Sequence, residues 1–287
     1  MLNELNICNI DPQSYLLLKE GLKSVIRVGH TKPGLEDVKK YAHKLGLKLI
    51  IKEFKEMYGG VLEKPVIMIY YSSDKELCRK AWKAEKRGDR KTFGKLLGYP
   101  ECCVDNFIEN HKNDLTLISL RNVKTKPSFY CNNLFVFDSK LRSFDLPIYY
   151  NNFKIFESQN VKDLFLIRHV PCSFDCKKSV NIGKSTLKLL EDNFPDLAKR
   201  IVDALKRPVL YWNYFEWVIL KGHQEGDIIK YDGILDYESL IKKEIKNMIG
   251  KGNDIKITDG KMTVLKNKEK IEKISRKDGI PVCIDFQ

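Results

Sequence analysis

Cysteines occur in two proline-led bends, Leu97-Gly98-Tyr99-Pro100-Glu101-Cys102-Cys103-Val104-Asp105 and Arg168-His169-Val170-Pro171-Cys172-Ser173-Phe174-Asp175-Cys176. If both sets serve one centre, the fold must bring two distant segments into one pocket. In each bend a proline stands where a first helical turn would begin. Proline is tolerated there because its missing N–H has no intrahelical partner, and the remaining unpaired N–H groups favour an anion such as a thiolate. Gly98 can adopt a positive φ and Tyr99 is pushed out of helical space by Pro100, so one helix stops and the next starts sharply.

On a helix begun at Pro171, Cys172 and Cys176 would face the same way. Adjacent Cys102 and Cys103 diverge by about 100° and can meet one centre only at a helix mouth. His169 would add a nitrogen ligand or a hydrogen bond to a metal-bound sulfur. Structural zinc normally shows cysteine pairs about two to four residues apart, which only the second pair satisfies. An iron–sulfur cluster accepts irregular spacing more readily. The expected metal ligands are therefore Cys102, Cys103, Cys172, Cys176 and His169, holding an iron–sulfur cluster first and zinc as the alternative. A metal-free reactive dithiol and plain packing are the other two readings.

The composition is that of an ordinary soluble protein, 43% hydrophobic and 31% charged. No apolar run approaches the roughly 20 residues needed to span a bilayer, and the start lacks the order of a secretory signal, so no membrane contact and a cytoplasmic location are expected. In a reducing cytosol the eight cysteines are not a disulfide framework, and the isolated Cys8, Cys78, Cys131 and Cys283 read as buried thiols. Lysine and arginine exceed aspartate and glutamate by 51 to 38, a net charge of +13. That permits RNA, tRNA included, as a partner, although a charge spread over the whole surface suits a heat-adapted protein equally well.

The pattern of elements predicts a mixed α/β fold: an N-terminal α/β layer, helical and β elements around the cysteine site, and a small α+β extension. Strands are expected at 24–29, 47–51 and 65–71, the last apolar enough to be covered on both sides. Helices follow from Leu35, from Ser73 or Asp74, and over 90–97 and 101–111. Residues 115–155 read as an irregular aromatic insertion over the site, 164–169 as a strand, and 179 onward and 195–206 as helices. The run 208–220 reads as one strand pairing with 227–231. Beyond Gly233 come a helix over 238–249, a hairpin around Asp259-Gly260, a lysine-rich helix and a closing strand from Pro281. This gives a core domain, 1–233, and a basic appendage, 234–287.

Glu101 and Asp105 are four apart on one helix face, as a general base and its partner would be, or as acids favoured near a positive helix end. Arg168 beside a thiolate centre would bind an anionic substrate or form an ion pair. Glu101, Asp105 and Arg168 are the candidate catalytic residues for sulfur, redox or RNA-modifying chemistry. The rival class is a nucleic-acid-binding module with structural zinc. Gly183-Lys184-Ser185 lacks the earlier glycine of a phosphate-binding loop, which would fall at Lys178. His223-Gln224-Glu225 stands in the wrong order for a zinc deaminase. His30, His43 and His111 are isolated.

The combination of Leu97-Gly98-Tyr99-Pro100, Cys102-Cys103-Val104, His169, Pro171-Cys172-Ser173 and Cys176 resembles an uncharacterised, mainly archaeal family, domain of unknown function 483, over roughly residues 20–220. The resemblance implies an archaeal source and a shared cysteine site, and carries no activity with it. The adjacent cysteines also look a little like the cysteine-rich modules of heterodisulfide reductases, without their downstream spacing.

Overall fold

The computed structural model describes residues 1–30, 34–57, 60–133, 164–213, 216–237, 243–258, 261–274 and 281–286. Among them are ten α-helices and ten strands, in a mixed α/β arrangement. The first sheet, with strand order β1-β3-β2, contains β1 (Ile26–His30), β2 (Lys48–Met57) and β3 (Gly60–Ser72), and both pairings are antiparallel.

As expected, β3 is covered on both faces, because successive side chains point to opposite sides of a strand. Ile67, Ile69 and Tyr71 pack with residues of α1 (Leu2–Ile7), α2 (Pro12–Lys19) and α3 (Leu35–Lys44). Met68 and Tyr70 pack instead with Cys78 and Ala81 of α4 (Lys75–Lys86) and Leu96 of α5 (Arg90–Leu96). Asp74 caps α4 by accepting from the Glu76 N–H.

Helix α6 (Glu101–Asn110) restarts after the glycine break. The end of α5 is closed by Gly98 N–H to Lys95 O and Tyr99 N–H to Gly94 O, both 3.0 Å, the paired bonds of a glycine-terminated helix. Gly98 has φ +78°, and a Cβ there would stand 2.8 Å from Leu22 O. Both the conformation and the space therefore require glycine.

The second sheet has the order β10-β4-β5-β6-β7-β8-β9, antiparallel throughout. Its strands are β4 (Val209–Asn213), β5 (Glu216–Glu225), β6 (Ile228–Tyr237), β7 (Asp254–Thr258), β8 (Lys261–Lys266), β9 (Glu269–Ile274) and β10 (Val282–Ile284). Leu210, Val218 and Leu220 face α10 (Lys243–Lys251), while Val209, Tyr211 and Ile219 face α8 (Lys177–Asn193) and α9 (Pro195–Leu205). β10 pairs with β4, and residue 233, the expected domain boundary, falls within β6.

Four expectations need correction. The run 208–220 is two antiparallel strands, with Asn213 opposite Glu216; the sequence hides the break because Tyr214-Phe215 is not a usual turn pair. The lysine-rich segment expected to be helical forms β9, joined to β8 through Asn267 and Lys268 at φ 53° and 73°. Residues of the expected irregular insertion include α7 (Leu115–Arg121), capped by Asp114, and a 3₁₀ turn at Phe129–Cys131. The aromatic residues Phe135, Phe137, Phe144, Tyr149, Tyr150 and Phe153 lie outside the described residues.

Residues 164–169, finally, form no strand. Leu164 to Ile167 are buried, and side chains reach the backbone there, with Gln13 Nε2 donating to Phe165 O and Asn133 Nδ2 to His169 O. Burial alone produces an apolar run, whatever the backbone does.

Candidate metal centre

Helix α6 begins at Pro100, whose carbonyl accepts from the Cys103 and Val104 N–H groups at 3.0 Å. Cys102 and Cys103 thus sit in the first turn, as expected, and their Sγ atoms are 4.0 Å apart. Cys172 and Cys176 share no helix. They flank a turn closed by Cys176 N–H to Ser173 O at 3.0 Å, and α8 starts at Lys177 with Cys176 as its cap.

The turn is held by its neighbours. Asp175 Oδ2 accepts from the Lys124 and Thr125 N–H groups at 2.8 and 3.0 Å. Asn122 Nδ2 donates to Cys172 O at 2.9 Å, and Ser119 Oγ donates to Pro171 O. Most of the backbone polar groups of this irregular segment are thus satisfied by side chains and loop backbone.

These elements bring the four sulfurs of Cys102, Cys103, Cys172 and Cys176 within 4.8 Å of one another. Cys176 Sγ is 3.8 Å from both Cys102 Sγ and Cys103 Sγ. Cys103 is buried and the other three are half-buried. Two helix N-termini face the group, which favours thiolate. The four can hold a metal ion.

Hydrogen bonds with Cys103 and Cys172 hold the Cys176 thiol far below its usual range. The reciprocal bonds, with burial, push Cys103 up. Cys172 accepts help from Cys103, yet its bond to Cys176 and burial raise it to about 12. Cys176 is thus the sulfur favoured as thiolate, at the expense of Cys103 and Cys172; a bound cation favours the deprotonated form of its thiol ligands.

His169 lies outside the group of four sulfurs. Its Nε2 is 2.8 Å from Ser179 Oγ, and Ser179 Oγ is 3.3 Å from Cys103 Sγ. Burial lowers the His169 pKa to about 3, so the ring is neutral. Once a metal ionises Cys103 its sulfur can only accept, and the chain would then run from His169 Nε2–H to Ser179 Oγ and from the Ser179 hydroxyl to Cys103 Sγ. His169 is packed against Tyr99, with ring centroids 5.2 Å apart.

The three acid–base candidates are dispersed. Glu101 and Asp105 both face Lys91, at 3.0 and 3.4 Å, and all three side chains are exposed; Lys91 lowers the Glu101 pKa. Arg168 pairs with buried Asp11.

Two participants carry no signal in the sequence. Ser179 is an ordinary helix serine until α8 points it at Cys103. Cys131, read as isolated, lies beside the centre with Sγ 4.0 Å from Cys176 O, and burial pushes its thiol up. Gly183, set aside as a phosphate-loop residue, has a packing role: a Cβ there would stand 2.8 Å from Tyr130 O, so glycine lets α8 approach the turn that carries Cys131.

The family profile described as a protein of unknown function, DUF483, matches residues 61–202. These residues belong to that family. The DUF483 region runs from β3 into α9 and contains all four cysteines, Cys131, His169 and Ser179, a narrower span than the resemblance suggested. No curated protein and no solved structure matches the chain. Among the described residues no helix is long and apolar enough to cross a membrane.

Proposed function

We propose that Cys102, Cys103, Cys172 and Cys176 bind one zinc ion, which ties α6 to the turn before α8, and that the protein built on this staple binds RNA. The sulfur spacing carries the first half. A zinc ion about 2.3 Å from four sulfurs at tetrahedral angles sets them about 3.8 Å apart; the sulfurs of Cys102, Cys103 and Cys176 are 3.8, 3.8 and 4.0 Å apart, and with Cys172 all four lie within 4.8 Å of one another. A cubane cluster, whose thiolates bind four different irons, needs its sulfurs farther apart than this. Four thiolates close the coordination shell, the pattern of a structural rather than a catalytic zinc.

Charge supports the second half. Lys243, Lys251, Lys261, Lys266, Lys268 and Lys270 are all exposed between α10 and β9, within a chain of net charge +13. Lysines of this kind displace counterions from a phosphate backbone.

Elemental analysis of anaerobically purified protein tests the metal: one zinc per colourless chain is expected, and its loss in Cys102→Ala and Cys172→Ala. Brown protein containing iron would overturn it. RNA affinity that falls steeply with salt is expected; no binding to any RNA pool would remove the partner and leave the metal standing.

A further inference from the structure

Residues 75–95, which carry α4 and α5, hold nine lysines and arginines against three acids, a surplus of six in a chain of net charge +13. Two of the acids are engaged in holding the fold. Glu85 turns to the first sheet, where it pairs with Arg27 at 2.6 Å and accepts from the Tyr70 hydroxyl at 2.7 Å. Asp89 caps α5 by accepting from the Thr92 N–H at 3.0 Å. Only Glu76 pairs with a cation of the outer face of α4, Arg79. On that face Lys75, Arg79 and Lys86 are exposed, and with Trp82 they fall at i, i+4, i+11 and i+7, within about 60° of arc around the helix. Trp82 is half-buried, its inner edge packed on the cluster of Met68, Tyr70 and Cys78. Lys52 of β2 stands opposite Met68 and so shares its face of the sheet. Its ammonium lies 4.1 Å from the centre of the Trp82 ring, and that of Lys86 lies 5.7 Å from it, both in the range of cation–π attraction.

We propose that this stripe is a site for single-stranded RNA, with one unpaired base stacked on Trp82 and the flanking phosphates held by Lys52, Lys75, Arg79 and Lys86. The site rests on the RNA binding proposed above and lies on other elements than the lysines between α10 and β9. An aromatic ring set among cations offers the two things a single strand presents together, a π-face and a phosphate. In a duplex each base is covered by its neighbours, so only an unpaired base can stack on the ring, and any base will serve because every base has a π-face. An acidic protein surface would engage the lysines and leave the ring without a use. The stripe runs about 16 Å along α4, the length of a few nucleotides. Lys86, the more distant of the two ammonium groups at the ring and on an exposed side chain, gives way to the base and meets its phosphate.

The test is fluorescence anisotropy of a short labelled oligouridylate titrated with the full chain, wild type and Trp82→Leu, with the oligouridylate–oligoadenylate duplex and inorganic polyphosphate as competitors. Binding to wild type is expected, weakened about 5- to 100-fold in Trp82→Leu by the loss of one stacked base, and both competitors should be at least about tenfold less effective than unlabelled single strand. Unchanged binding in Trp82→Leu, or a duplex or polyphosphate that competes as well as the single strand, would overturn this site and leave RNA binding elsewhere on the chain standing. No binding to wild type would remove both. Should Trp82→Leu fail to fold, the double variant Lys75→Gln/Arg79→Gln, altered only at exposed side chains, must flatten the log–log salt dependence of binding by about 1.4, and an unchanged slope contradicts the site.

Discussion

The backbone N–H of Cys172 donates to Cys103 Sγ at 3.3 Å, so the two cysteine bends are joined through main chain as well as through side chains. Three local devices place the four sulfurs: a proline-opened helix for Cys102 and Cys103, a side-chain-pinned turn for Cys172, and a helix cap for Cys176. The staple is therefore largely pre-formed by the fold, and the predictions concern what aligns it.

Ser179 is expected to tune the centre without ligating it. In Ser179→Ala, Cys103 loses its hydroxyl donor and the buried His169 ring loses its partner. Stability should fall by about 1–3 kcal/mol and metal affinity by roughly 10- to 100-fold, with metal stoichiometry unchanged at saturation. Competition with a chromophoric chelator measures the affinity; an unaltered value would show that the hydroxyl does not act on the sulfur.

Cys131 is expected to be a packing thiol. Cys131→Ala should keep the full metal content while losing roughly 1–2 kcal/mol of stability from the buried volume removed. Metal loss in this variant alone would make Cys131 a ligand and change the donor set.

Much of the centre was legible because proline and cysteine report their roles locally: Pro100 marks a helix start and the cysteines beside it mark chemistry. The turn at Cys172–Cys176 was less so, since its shape depends on Ser119, Asn122, Lys124 and Thr125, partners that only tertiary contact supplies. The same holds for Ser179 and Cys131. In the sheets, a continuous apolar run located β3 and the Asp259-Gly260 pair located the β7–β8 hairpin. The β8–β9 turn was hidden because its left-handed residues are Asn267 and Lys268 rather than a glycine pair, and the lysines of β9 match a helix surface as well as a strand.

Gly98→Ala is expected to cost at least about 2 kcal/mol, from a left-handed backbone and the approach to Leu22 O. Because Gly98 sets the angle between α5 and α6, the loss should be accompanied by weaker metal binding. Denaturant unfolding of the metal-loaded protein reports the first effect; a stability within about 0.5 kcal/mol of wild type would contradict the packing described.

Lys23 gives stability a specific pH dependence. Its folded pKa, about 8, lies below the ordinary lysine value of about 10.4, so the unfolded chain holds the proton more tightly. The resulting cost is fully present below about pH 8 and disappears as pH rises through the unfolded value. Relative to Lys23→Met, wild type should therefore gain roughly 3 kcal/mol between pH 8 and 10.5. Parallel stability curves across that window would mean that the ammonium is solvated.

The central claim is one metal ion held by four sulfurs, and zinc K-edge absorption of the anaerobically purified protein tests it most directly. A single shell of four sulfurs at about 2.3 Å is expected. A shell containing nitrogen or oxygen, or an iron edge with metal–metal scattering in its place, would contradict it.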